Sequence, residues 1–117
     1  MKTIAKEMPL DQFAKEMNAL NQTFHVWAIY NGAPGADFES SINATKMELW
    51  TLPGNDLKQA SITFMDSTGN RIELSGGCET VKWDDNDTMQ CYYMDTAHAT
   101  VTIYTPDNKP FEIEVNE

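Results

Sequence analysis

The spacing of hydrophobic residues changes along this chain, and the changes mark its elements. Leu10, Phe13, Ala14, Met17 and Leu20 recur at helical intervals and form one apolar face, while Asp11, Gln12, Lys15 and Glu16 point away from it. Pro9 sits near the entrance, Asp11 suits the positive N-terminal end, and Asn21 is a natural stop. This is the one helix the pattern predicts.

From Thr23 to Tyr30 the period shortens to two, with Phe24, Val26, Ala28 and Tyr30 on one side and His25, Trp27 and Ile29 on the other. A strand apolar on both sides is usually covered on both, so it belongs in the interior with the helix on one face. The breaker-rich stretch from Asn31 to Asp37 opens a connection running to about Asn43, which is expected to cross from one part of the sheet to another.

Beyond Thr45, alternation and turn chemistry can be read together. Pairing Met47 with Ile62 and Leu49 with Ala60 leaves Pro53-Gly54-Asn55-Asp56 as a turn. Pairing Ile62 with Leu74 and Phe64 with Ile72 leaves Ser67-Thr68-Gly69, whose last position suits a left-handed glycine. Pairing Val101 with Ile113 and Ile103 with Phe111 leaves Pro106-Asp107-Asn108. Between these, Val81 and Trp83 match Cys91 and Met89 across a loop from Asp84 to Thr88. Cys91 and Tyr93 then match Val101 and Ala99. Gly76-Gly77 is either a turn or a bulge in one long strand.

The predicted fold is a single α+β domain over residues 1–117: one N-terminal amphipathic helix packed on a strongly curled antiparallel β-meander of about seven or eight strands. A three-turn helix cannot cover a flat sheet that wide, so the sheet is expected to curl around it. The predicted core is Leu10, Phe13, Met17, Trp27, Met47, Leu49, Ile62, Phe64, Ile72, Leu74, Val81, Trp83, Cys91, Tyr93, Val101, Ile103, Phe111 and Ile113.

Charge changes this picture. The 117 residues carry a formal net charge of -10. Residues 1–65 hold seven acids against five bases, and residues 66–117 hold eleven against three. Such a balance argues against direct nucleic-acid binding, which needs cations to displace phosphate counterions, and favours a basic partner. No window holds ten consecutive apolar residues, so neither a signal peptide nor a membrane span is predicted and a cytoplasmic location is expected. The glycosylation-type triplets at Asn43 and Asn86 therefore carry no weight, and Cys78 and Cys91 are expected as free thiols.

Candidate chemistry is sparse. Neither cysteine adjoins a cation that would lower its pKa, and His25 and His98 have no spacing that makes a dyad. No nucleophile elbow, phosphate loop or zinc spacing is present, so no catalytic residue, metal ligand or cofactor is assigned. Asp84-Asp85-Asn86-Asp87 opens like a calcium loop, but Met89 stands where an EF-hand needs glycine and Asp95 where it needs glutamate. A solvated acidic turn is the better reading.

The predicted register instead assembles an acidic, aromatic-studded face turned away from the core. Its partner-binding residues are Glu48, Trp50, Glu73, Asp84, Asp85, Asp87, Tyr92, Tyr104, Glu112 and Glu114, with Met65 and Met94 among them. The function expected is a non-enzymatic protein-interaction module, an inhibitor or nucleic-acid mimic that binds a basic, nucleic-acid-handling protein. Two other readings compete: a small-molecule binder with an apolar pocket near Trp27, Trp83 and Tyr93, and a small enzyme using His25 or His98 with a carboxylate. Homodimerisation through the rings or an open strand edge is a further reading.

Overall fold

The computed structural model describes residues 1–31, 37–84, 90–97 and 99–114. In chain order it contains β1 (Lys2–Ile4), β2 (Glu7–Pro9), α1 (Leu10–Ala19), β3 (Phe24–Asn31), β4 (Asp37–Ala44) and β5 (Lys46–Trp50). A short 3-10 turn (Leu57–Gln59) precedes β6 (Ser61–Met65), β7 (Arg71–Ser75), β8 (Thr80–Asp84), β9 (Cys91–Asp95), β10 (Ala99–Tyr104) and β11 (Glu112–Glu114). The strands form three sheets: a six-stranded sheet ordered β2-β8-β9-β10-β3-β4, a three-stranded sheet β5-β6-β7, and a ribbon of β1 with β11. Every pairing is antiparallel.

The helix forms where its apolar period lies, and it buries Leu10, Phe13, Ala14 and Met17. No side chain caps its start; the Leu10 N–H donates instead to the Glu79 carbonyl at 2.9 Å, which satisfies one of the orphan amides of the first turn. Asn21 ends the run in a left-handed conformation. Near the C-terminal end, Asn18 acts as a piece of strand. Its Nδ2 donates to the Met47 carbonyl at 2.8 Å, and its Oδ1 accepts from the Met47 N–H at 2.9 Å. One amide side chain thereby fastens the helix to β5 and satisfies an edge peptide of the small sheet.

The core lies between the helix and the inner faces of the two larger sheets. Phe24, Val26, Ala28, Val81, Tyr92, Met94, Ala99, Val101 and Ile103 come from the six-stranded sheet, and Met47, Ile62, Phe64, Ile72 and Leu74 from the three-stranded one. Full burial of each large apolar side chain is worth about 1.5–3 kcal/mol. Phe24 and Phe64 meet edge to face at 6.5 Å, joining the two sheets.

Tyr92 closes the core at the end where β1 and β11 pair. Its ring is fully buried and packs on Phe13 at 5.0 Å, Trp83 at 4.9 Å and Phe111 at 5.7 Å. Its hydroxyl donates to the Ala5 carbonyl at 3.0 Å and accepts from the Phe111 N–H at 2.8 Å. The Ala5 N–H in turn donates to the Phe111 carbonyl at 2.7 Å. A single phenol thus bridges the segment after β1 and the segment before β11.

Several expectations are overturned. The described residues contain eleven strands in three sheets, not a single strongly curled meander of seven or eight. The expected crossover contains β4, paired along eight residues with β3. Its Asp-Phe-Glu-Ser-Ser-Ile-Asn-Ala sequence has too few apolar positions to advertise a strand, so backbone pairing carries it. β1 and β2, of three residues each, are too short for alternation to reveal.

In the small sheet, Leu49 pairs with Ile62 and Met47 with Phe64, two residues from the expected register. The expected four-residue turn is a longer connection, because residues 58 and 60 are engaged elsewhere: Gly76 N–H donates to Ala60 O at 3.0 Å and Gly77 N–H to Lys58 O at 2.7 Å. Gly76-Gly77 is accordingly a turn, both residues having positive φ, and a Cβ on Gly77 would stand 2.5 Å from the Ala97 nitrogen. The β6–β7 hairpin has the expected register and a left-handed Gly69.

β9 departs furthest. Trp83 pairs with Tyr92 and Val101 with Met94, so β9 is displaced by three residues against both neighbours. An odd displacement exchanges its faces: Tyr92 and Met94 turn inward, while Tyr93 turns outward. Gln90, in a left-handed conformation at φ 52°, sits at the entry where the phase is set. β10 pairs with β3 rather than β11, and β11 pairs with β1, so the anticipated hairpin is absent while its turn at Pro106-Asp107-Asn108 remains, closed by the N–H of the left-handed Asn108 donating to the Thr105 carbonyl at 3.0 Å. Among expected core residues, Leu49, Trp83, Phe111 and Ile113 are half-buried against the core, whereas Trp27 and Tyr93 are half-buried on the opposite face.

Two measurements check this account. Tyr92→Phe leaves the Phe111 N–H without its acceptor, and urea unfolding should show a loss of about 1–3 kcal/mol. Burial also pushes the Tyr92 hydroxyl above the ordinary tyrosine range, so its contribution is complete below about pH 10 and is lost as pH rises through the folded-state value, because the unfolded chain ionises first; Tyr92→Phe should flatten that alkaline decline. At the β6–β7 turn, Asp66 accepts from the Asn70 side chain and from the Thr68 hydroxyl and amide, which hold its carboxyl at about 2 instead of 3.8. NMR titration should give that low midpoint, with the turn's stabilisation present above pH 4 and lost as pH falls through about 2.

Candidate interaction surface

The single acidic face expected from sequence is divided among three places. On the three-stranded sheet the outward residues form rows across β5, β6 and β7: Lys46, Met65 and Arg71; then Glu48, Thr63 and Glu73; then Trp50, Ser61 and Ser75. Glu48, Trp50 and Glu73 therefore do share one face, because a two-residue register error leaves sides unchanged. That face is not acidic. Lys46 Nζ lies 2.7 Å from Glu48 Oε1, and Arg71 Nη1 lies 3.1 Å from Glu73 Oε1, so two bases offset two acids.

Glu112 and Glu114 lie on the β1–β11 ribbon, where the Met1 amino group approaches Glu114 at 3.6 Å. Tyr92 is inside the core and belongs to no surface, as does Met94. Asp85 and Asp87 lie outside the described residues, as does His98.

The outer face of the six-stranded sheet receives Asp84 and Tyr104. Across β8, β9, β10, β3 and β4 its central row reads Lys82, Tyr93, Thr102, Trp27 and Ser41. On one side lie Asp84 opposite Cys91, and Tyr104 opposite His25, which pairs with Asn43; on the other, Asp95, Thr100, Ile29 and Glu39. Trp27, Tyr93 and Tyr104 surround Thr102, with Ile29 beside Trp27. All of these rings keep partial exposure.

The electrostatics of this face differ from those of the small sheet. Among the described strand residues, Glu7, Glu39, Asp84 and Asp95 stand on it together with Lys82. A cleft of about 130 Å3 opens at the β8–β9 end, lined by Glu79, Thr80, Lys82, Tyr93 and Asp95 among others. Asp95 is oriented by the Thr100 hydroxyl, which donates to Oδ1 at 3.2 Å. His25 Nδ1 is 3.1 Å from Asn43 Oδ1, and its ring is 5.9 Å from that of Tyr104.

The thiols are held away from chemistry. Cys78 is buried and donates to the Thr80 carbonyl at 3.2 Å; burial first, then Asp95 and Glu79, push its pKa up. Cys91 is buried at the base of Tyr104, and burial together with Asp84 raises it as well. Among the described residues no three His, Cys, Asp or Glu side chains are grouped to hold a metal, and no helix is long and apolar enough to cross a membrane. Trp83 faces the core while Trp27 and Tyr93 face outward, so the three rings of the expected ligand pocket do not line one space.

The outward role of Trp27, Ile29 and Tyr93 escaped sequence reasoning. A signal existed: β3 alternates bulky residues on both sides, and only one side could face a core already supplied by Phe24, Val26 and Ala28. No protein-family model, curated protein sequence or solved structure matches the chain.

At neutral pH both thiols should resist a disulfide reagent in the folded protein and react promptly once it is unfolded. Their burial contributes stability that is complete below about pH 9 and is lost as pH rises through the raised folded-state values. Rapid native-state labelling of either thiol would contradict the packing described.

Proposed function

We propose that this protein is a non-enzymatic interaction module whose outer six-stranded face binds a basic partner protein. The observation that supports this reading most directly is the cluster of Trp27, Ile29, Tyr93 and Tyr104 on a face that also carries the carboxylates of Glu7, Glu39 and Asp95. Half-buried rings of this kind supply anchors that are desolvated on binding, and surrounding carboxylates steer the encounter with a cationic surface. The net charge of -10 favours such a partner and disfavours nucleic acid as the ligand.

The finer reading is that the partner is itself a nucleic-acid-handling protein. Its cationic groove would meet carboxylates where it normally meets phosphates, and the protein would act as an inhibitor by occupying that groove. The β8–β9 hairpin is the strongest support, since residues 79–95 carry five acids and one base, Lys82.

Affinity capture at low and high salt, repeated with variants, tests the proposal. Trp27→Ala or Tyr104→Ala should weaken capture by about tenfold or more, the cost typical of a central aromatic anchor. Asp95→Asn with Glu39→Gln should slow association and reduce the salt dependence while changing dissociation little. Capture that is indifferent to both salt and the aromatic substitutions would refute the reading.

A further inference from the structure

We propose that the outer face of the β5-β6-β7 sheet is the surface through which two copies of this chain pair. Its charges are striped. Lys46 and Arg71 occupy the first row and Glu48 and Glu73 the second, on the same two edge strands. A twofold axis lying in the contact plane, running across the strands between these rows, sets Lys46 of one copy against Glu48 of the other. The same operation sets Arg71 against Glu73 on β7, and Met65 against Thr63 on β6. Like meets unlike at every charged position, which is the self-complementarity that an isologous contact requires.

Three further features favour a second copy as the occupant. Two chains of charge -10 repel, and this face, with two acids offset by two bases, lets them approach without opposing like charges. The existing ion pairs are exposed and therefore weak, so their charges are readily shared across an interface. A shallow hollow of about 400 Å3, lined by Ser61, Thr63, Glu73, Leu74 and Ser75, lies where the proposed operation delivers Met65 and Arg71 of the second copy. Trp50, 63% exposed in the third row of β5, then reaches past Lys46 of that copy toward its Thr45. This contact is independent of the partner-binding face on the six-stranded sheet.

Sedimentation equilibrium across a concentration series tests the pairing. The wild-type protein should approach twice the chain mass, and the dimer should weaken as salt is raised. Two charge reversals, Lys46→Glu with Arg71→Glu and Glu48→Lys with Glu73→Lys, should each raise the dissociation constant at least about tenfold by opposing like charges. Mixed together, they should recover a heterodimer, since one then presents acids wherever the other presents bases. Trp50→Ser, which leaves every charge in place, should weaken the dimer and leave the far-UV spectrum unchanged. A wild-type monomer at all concentrations would overturn the proposal; so would folded charge variants that still dimerise alone, or a mixture of them that stays monomeric.

Discussion

The buried hydroxyl of Tyr92 is the contact on which the arrangement of this fold depends. It stands between Ala5 and Phe111, two backbone segments more than a hundred residues apart, and answers a carbonyl of one and an amide of the other. An unpaired phenol at that depth would cost free energy, so an inward Tyr92 must be aligned with the segments at Ala5 and Phe111. The inward turn of Tyr92 forces Tyr93 outward, and Tyr93 joins Trp27 and Tyr104 on the far side of the sheet. Core architecture and surface chemistry thus follow from the same alternation.

The two outer sheet faces divide the protein's charge between them. The small sheet pairs its bases and acids along each edge strand and presents a neutral, striped surface. The large sheet gathers rings at its centre and carboxylates around them. The acidity counted along the sequence is therefore not spread over one continuous face. Among the described residues Glu79, Asp84 and Asp95 lie at the β8–β9 end, and Cys91 is buried beside Asp84.

How much of this was legible depended on whether a local rule sufficed. The helix could be read because its apolar period is uninterrupted and ends at Asn21. The β6–β7 hairpin could be read because Gly69 and the Asp66–Asn70 turn fix its register without help from elsewhere. Cys-Tyr-Tyr-Met at 91–94 is apolar on both sides, so alternation cannot choose its phase; the choice rests on partners remote in sequence. Alternation also names a strand's side but not its neighbour, and β3 takes the place beside β10 that β11 was expected to fill. For the candidate site, Glu48, Trp50 and Glu73 were placed together correctly because their register error was even, whereas Tyr92 was exchanged for Tyr93 because its error was odd.

The β1–β11 ribbon has one more consequence. Lys2 lies opposite Glu114 and the Met1 amino group is 3.6 Å from the Glu114 carboxylate, so the described chain enters and leaves the domain at a single point. A fold whose ends stand side by side can be circularly permuted with a short linker, or spliced as a unit into a surface loop of a host protein, without stretching its core.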